Sequence, residues 1–406
     1  MHSTTISDPA TSPPAGLTPL RHMLLKVHSR CNLSCSYCYV YQHVDQSWRR
    51  QPLIMSPSVI DAAADRLAEH ARRWRLSRVT VTFHGGEPLL AGVDFFEYAV
   101  AAVRRRMSPD IVVTFTVQTN GVLLDEAFLE TFSRLSVRVG VSLDGDRHAN
   151  DLHRRFPHGG GSYTDVSAGL DRLRQDRFRH LFGGLLCTIN LRNDPIEVYA
   201  GLLRFAPPRL DLLLPHGNWS SPPAGRGPGT THTPYADWLI AVFDRWYDAP
   251  QRETDIRLFS VIMSLLLGGP GRSESVGLAP VDFVVVETDG SIEHGDALKT
   301  TTAGATATGL HVERSGFDDL LLLPGLRQRQ IGLAALGTTC RRCSLVNVCG
   351  GGHYAHRYDG STGFGNPSVY CPDLARLIGH VHGRMRTDLR RLAAAGDRQH
   401  DVGALR

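Results

Sequence analysis

From residue 22 onward, short runs rich in β-branched and apolar residues alternate with longer amphipathic stretches. The short runs predict strands at 23–27, 79–83, 112–117, 138–143, 185–189 and 210–214. The 3.6-residue periodicity predicts helices at 57–73, 93–107, 125–135, 163–176 and 196–205 between them. Six such β–α repeats in sequence predict an α/β fold, either a parallel barrel or a doubly wound sheet. In both, chemistry collects where strands end and loops begin. Residues 220–234, rich in Pro, Gly, Ser and Thr, read as a loop or domain junction. Helical patterns follow at 235–248 and 255–268, then a hairpin over 281–293 turning at Asp289-Gly290. Residues 1–20 read as a flexible arm and 376–406 as a helix with a polar tail.

Composition narrows this to one large and one small domain in 406 residues. Hydrophobic content of 42% and charged content of 21% are those of a soluble globular protein. A net charge of +4 gives no electrostatic case for nucleic acid. The N-terminal stretch lacks the apolar segment of a signal peptide, and the apolar run 261–267 is too short to cross a bilayer. A cytoplasmic protein with no membrane partner is therefore expected. Of 44 basic residues only Lys26 and Lys299 are lysines, which biased genomic composition explains. Eight cysteines in such a chain indicate metal or redox work rather than disulfides.

Three of these, Cys31, Cys35 and Cys38, form a CxxxCxxC loop directly after the first predicted strand. Soft thiolates suit iron, and three of them hold three corners of an iron–sulfur cubane, leaving one iron open to a small bidentate molecule. The alternative is zinc, with His43 as a fourth ligand. The second strand runs into His84-Gly85-Gly86-Glu87-Pro88, where glycines allow close backbone approach and Glu87 offers a carboxylate to an ammonium group. Gln118-Thr119-Asn120-Gly121 and Ser142-Leu143-Asp144-Gly145 end the next two strands and are by themselves turn signals. Gly159-Gly160-Gly161 lacks the Lys-Ser/Thr of a phosphate loop and precedes Ser162, a candidate helix cap. His216, at the end of the sixth strand, either touches substrate or is a hydrogen-bonded structural residue. Cys340, Cys343, Cys349 and Cys371 offer four thiolates, for zinc or iron–sulfur alike on spacing alone. Cys187 reads as a core residue.

The CxxxCxxC loop, with Tyr37 before its third Cys and GGEP about 45 residues on, resembles radical S-adenosylmethionine (SAM) enzymes. That resemblance implies a partial (β/α)6 barrel, a SAM-binding 4Fe-4S cluster on Cys31, Cys35 and Cys38, and SAM itself as cofactor. It places Tyr37, Gly85, Gly86, Glu87 and Pro88 at the cofactor, with Gln118, Asn120 and Ser142 as further contacts. Asp144 is a contact or a turn cap, and Arg154, or Arg155 beside it, grips the SAM carboxylate. The C-terminal cysteines resemble a SPASM (twitch-type) iron–sulfur domain and imply one auxiliary 4Fe-4S cluster on Cys340, Cys343, Cys349 and Cys371. A second auxiliary cluster is not expected, because the hairpin has no Cys and His353 stands where the family has another. Asp296 aligns with the base of sulfatase-maturing members.

Segments 24–41, 84–89, 212–219 and 286–293 carry a closer likeness, over about 21–375, to FxsB-type maturases of ribosomally made peptides. This implies a carbon–carbon crosslink, from an aromatic ring carbon to a β-carbon, in a precursor peptide. A small electron donor such as flavodoxin or ferredoxin would serve it. Formylglycine formation, as in sulfatase maturases, and thioether formation are the alternatives; a non-catalytic metal-binding scaffold is the reading from outside enzymology. The expected division is an arm at 1–20, the barrel at 21–235, a helical bridge at 236–279, the auxiliary-cluster domain at 280–375 and the C-terminal helix and tail at 376–406.

Overall fold

The structure is a computed structural model describing residues 16–227 and 229–403, with side chains to residue 392. Most of the expected N-terminal arm, and the last residues of the tail, lie outside the described residues.

Strands β1 (His22–His28), β2 (Arg78–Gly85), β3 (Val112–Thr119), β4 (Val137–Ser142), β5 (Phe182–Thr188) and β6 (Arg209–Leu213) pair in sequence order, all parallel. The intervening helices include α1 (Pro57–Arg73), α2 (Val93–Arg106), α3 (Glu126–Leu135), α4 (Arg147–His153), α5 (Tyr163–Leu173) and α6 (Pro195–Leu203). Short polar side chains start several of them. Ser56 accepts from Val59 N–H before Pro57, Asp125 from Phe128 N–H, and Asp194 from Ile196 and Glu197 N–H before Pro195. Phe96 on α2 meets Phe83 of β2 and Phe132 of α3 edge-on, at 5.2 and 5.1 Å between ring centroids.

The period-2 pattern of the strands sorts two faces. Met23, Leu25 and Val27, Val79, Val81 and Phe83, and Val137, Val139 and Val141 are buried on the helix side. The alternate positions are polar and meet each other inside the sheet's curve. His22 bonds Thr82 at 2.7 Å, Thr82 bonds Thr116 at 2.5 Å, and Gln118 donates to Ser142 at 3.0 Å. Lys26 belongs to this inner set.

The sheet has ten strands in the order β10-β9-β8-β1-β2-β3-β4-β5-β6-β7 and stays open, since β10 and β7 (Asp255–Ile256) are its two edges. Strand β8 (Phe283–Val286) lies parallel to β1, and β9 (Ser291–Glu293) and β10 (Ala307–His311) extend from it antiparallel. The hairpin expected to begin a separate C-terminal unit therefore continues the barrel's sheet. Strand β5 starts three residues before its expected position and includes Gly183-Gly184, with Gly184 at a φ of +134° that favours glycine. A Cβ on Gly184 would meet Arg209 O at 2.5 Å, so glycine serves close strand approach there. Ser162 is not a helix cap; buried, it donates to Arg154 O at 2.7 Å and accepts from Asn150 at 3.1 Å. Helices α7 (Pro234–Tyr247) and α8 (Arg257–Leu266) and the long C-terminal helix (Cys371–Gly403) pack beyond β6. No helix is long and apolar enough to cross a membrane among the described residues.

Asp373 joins these helices. Its Oδ1 accepts from Tyr235 and Ala236 N–H at 3.0 and 3.1 Å, and Arg226 lies 3.4 Å from its Oδ2, with both side chains at most 2% exposed. Asp373→Ala leaves a buried guanidinium and two helix N–H groups without their partner. It should lower stability by about 3–5 kcal/mol, read from denaturant unfolding of the anaerobic protein by far-ultraviolet dichroism.

Candidate active site

The loop after β1 carries Cys31, Cys35 and Cys38 and is held by backbone and side-chain hydrogen bonds together. Cys38 N–H donates to Cys35 O at 3.1 Å, and Ser34 N–H reaches Arg155 O at 2.7 Å. Against this loop lies Gly85-Gly86: Gly86 N–H donates to His28 O at 2.8 Å and Glu87 N–H to Arg30 O at 3.0 Å. A Cβ on Gly86 would sit 2.0 Å from the Tyr41 hydroxyl and 2.3 Å from Arg30 O, so only glycine fits.

Glu87 closes that glycine turn. Its carboxylate is fully buried and accepts from Leu89 N–H (3.0 Å), Thr119 Oγ1 (2.6 Å) and Asn120 N–H (2.7 Å). It ties the glycine loop to the end of β3. Pro88 starts the short helical turn that Glu87 caps. Asn120, with its backbone held this way, donates its side-chain amide to Asn32 at 2.7 Å and approaches Cys31 Sγ at 3.7 Å.

Within the cysteine loop, Tyr37 donates to Asp144 Oδ2 at 2.5 Å and Arg154 Nη1 donates to Tyr37 at 3.0 Å. Asp144 also accepts from Thr188 N–H at 2.9 Å, so it is both a contact in this network and a brace for β5. Burial pushes its carboxyl up against the pull of Arg154, and burial likewise raises the Tyr37 phenol, keeping it a donor. Arg154 is 7% exposed and its Nε is buried without a partner. Arg155 instead donates to Asp151 O.

Burial is also the main reason the Cys31 thiol is pushed up to about 12, with the neighbouring Cys35 and Cys38 adding to it. In the second set, burial first and then Cys371, Cys340 and Cys343 raise Cys349 to about 11. The four C-terminal thiols are thus mutual neighbours. Sulfurs on one zinc lie about 3.8 Å apart, given bonds of about 2.3 Å in a tetrahedron. Among the described residues, the three-ligand groups whose atoms lie within 4.8 Å of one another contain no cysteine. Cys187 is buried in β5, away from either set.

The site also contains a charged group that sequence reasoning left out. Lys26 Nζ lies 2.5 Å from Asp296 Oδ2, and Lys299 Nζ lies 2.6 Å from Glu287 and 3.4 Å from Glu293. All five are buried. Both lysines of the chain therefore serve one network. Their signal was present: a charged residue at an inner position of a buried parallel strand, and a rare residue type twice. Burial alone would raise the Asp296 carboxyl, but Lys26, then Lys299 and His84, outweigh it and hold it at about 2. Its Oδ1 is buried without a partner.

Residues 25–200 match the Radical SAM superfamily. That segment has the radical SAM fold. The chain is also similar to the cysteine-type anaerobic sulfatase-maturating enzyme of Clostridium novyi, 24% identical over 357 residues covering 86% of this chain and 92% of that protein. The serine-type enzyme of Klebsiella aerogenes is 30% identical over 174 residues, 41% of this chain and 40% of that one. Native anSMEcpe with bound AdoMet and Cp18Cys peptide has the same fold at a TM-score of 0.78 and 21% identity, over 92% of this chain and 100% of that chain. SuiB of Streptococcus suis, bound to its precursor peptide SuiA, aligns at 0.54 and 13% identity, over 87% of this chain and 76% of that one.

Asp296 sets a pH prediction. With its carboxyl lowered from 3.8 to about 2, the pair with Lys26 adds stability above pH 4 that is lost as pH falls toward 2. Lys26→Met strands the carboxylate, costs about 3–5 kcal/mol at pH 7 and raises the carboxyl above its unfolded value. The sign then reverses: the variant's deficit should shrink between pH 7 and pH 4, measured by denaturant unfolding at each pH.

Proposed function

We propose that this chain is a radical SAM enzyme that takes a hydrogen atom from a residue of a peptide substrate. The observation that carries it is the buried Tyr37–Asp144–Arg154 network, with an unpartnered guanidinium Nε, beside the loop of three thiols that supplies Tyr37. Cys31, Cys35 and Cys38 would hold a 4Fe-4S cluster. The Gly85-Gly86 backbone, Gln118, Asn120, Ser142 and Arg154 would hold SAM, Arg154 gripping its carboxylate. When bound together, cluster and SAM supply a 5′-deoxyadenosyl radical able to take hydrogen from an unactivated carbon. Cys340, Cys343, Cys349 and Cys371 would hold one auxiliary 4Fe-4S cluster in a SPASM-type unit over 280–375, there to carry an electron away. A small flavodoxin or ferredoxin would deliver the initiating electron.

Formylglycine formation on a peptidyl Cys or Ser is the reaction that the sulfatase-maturating relatives support. The crosslinking reaction of FxsB-type maturases is the second reading, and Asp296 favours it. Oxidising a thiol or alcohol to an aldehyde requires a base for the heteroatom proton. A carboxylate ion-paired with Lys26 and held at about 2 is a weak one. Joining carbon to carbon needs no such base before the bond forms. In either case the orphan Asp296 Oδ1 is an acceptor for a donor on the substrate.

Peptides encoded near the gene, coexpressed and analysed by mass spectrometry, separate the readings. Loss of hydrogen without an aldehyde reactive to hydrazide indicates the crosslink; a reactive aldehyde indicates formylglycine. A reductant-treated, cluster-loaded protein that cleaves no SAM would remove both. Arg154→Met should weaken SAM binding about 10–100-fold by equilibrium dialysis, with iron content unchanged, as loss of a charge-assisted bond requires.

A further inference from the structure

Three histidines meet outside the cofactor site, where the β6 exit loop touches the C-terminal segment. The ligand nitrogens of His216, His353 and His356 all lie within 4.8 Å of one another. Their ring centroids are 5.2, 5.3 and 4.8 Å apart, and His216 Nδ1 faces His356 Nε2 at 3.2 Å. Two nitrogens on one tetrahedral ion with bonds of about 2.0 Å lie about 3.3 Å apart, so this pair already stands at a metal's spacing.

The three are held from separate directions. Tyr370 donates to Pro215 O at 2.6 Å, and Trp219 donates through its backbone to Tyr358 O at 2.9 Å and through its indole to Pro367 O at 2.8 Å. The β6 exit loop carrying His216 is thereby stitched to the segment carrying the other two. Tyr39, next to Cys38, packs edge-on against His216 at 5.1 Å. Burial, rather than any partner charge, is the main cause lowering all three imidazoles, His216 to about 4. At neutral pH they are in the form that carries a lone pair.

We propose that His216, His353 and His356 bind one divalent transition-metal ion of the zinc class. Three imidazoles suit zinc and ferrous iron, and three protein ligands leave a position for water or a substrate group. Binding has one local cost. His353 Nδ1 accepts from Ala355 N–H at 3.2 Å, and a neutral imidazole has one lone pair, so the ring gives up that bond on loading. Between His216 and His356 the ion takes the place of the shared proton. His353 stands where a family cysteine was expected, so the site replaces a thiolate position with an imidazole one. The proposal is independent of the reaction, and zinc binding can fail or hold whichever bond the enzyme forms.

The test uses cluster-loaded holoprotein incubated anaerobically with Zn2+, desalted, then measured for metal content and by zinc-edge X-ray absorption. The expected result is one zinc per chain with nitrogen or oxygen neighbours at about 2.0 Å and no sulfur at about 2.3 Å. The double variant His216→Gln, His353→Gln should bind zinc more than about 100-fold more weakly, beyond the loss an outer-shell change causes, with iron content intact. Retention below about a tenth of an equivalent, sulfur in the zinc shell of the parent protein, or full retention by the double variant would overturn the site. Should the variant lose its iron, the parent's absorption spectrum decides alone.

Discussion

The contact on which the candidate site depends is backbone against backbone: the Gly85-Gly86 turn seated on the residues that lead into the cysteine loop. Gly86 and Glu87 donate to His28 and Arg30 carbonyls, and there is no space for a Cβ on Gly86. Glu87 then reaches the end of β3 with its carboxylate and fixes Thr119 and Asn120. Three strand ends become one rigid rim. A loop of thiols has little packing of its own, and an open iron is useful only if its neighbours are placed to within a fraction of an ångström. That precision comes from hydrogen-bonded backbone with side-chain volume excluded, and a buried carboxylate serves it better than an exposed one.

The second constraint is charge. Two lysines and three carboxylates are buried together beside β1, a combination that costs several kcal/mol per ion unless each is paired. Glu293 shows the strain: burial first, then Glu287, raises its carboxyl against the pull of Lys299. The extension of the sheet by β8 and β9 brings this network about, since Glu287 and Asp296 flank that hairpin while Lys26 sits on β1. Arginine, used nearly everywhere else, is larger and spreads its charge over a planar fork. A compact ammonium fits between β1 and the hairpin, which gives the two lysines a physical reason that composition alone did not suggest.

The strands of the barrel were legible in the sequence because most of their outer positions are apolar and most of their inner ones polar. The failures share a cause. Gly183-Gly184 was unreadable as strand because local turn chemistry and close strand approach use the same residue. Strand β8 carried a correct hairpin signal, but nothing local says that it pairs with β1, some 260 residues earlier. The three donors that hold the Glu87 carboxylate were not readable either, since only the fold assembles them. The two cysteine sets were plain from spacing; the histidines were not, since His216 is 140 residues from His356.

These differences divide the lumen into two sides. Around the ends of β1 to β5, on the proposed reading, positions are set by backbone, glycine and one phenol–carboxylate–guanidinium network, all suited to a cofactor that does not vary. The side formed by β8, β9 and the β6 exit loop is built from titratable side chains instead: Lys26, Asp296, Lys299 and the three imidazoles. Burial favours neutral imidazoles and paired ions there, so that side offers oriented donors and acceptors without net charge. A peptide backbone, neutral and rich in N–H and C=O groups, is matched by such a surface, whereas a phosphorylated or strongly charged ligand would have to break ion pairs to bind. The choice of substrate is therefore expected to lie with the hairpin side of the barrel, and the reaction's common first step with the cysteine side.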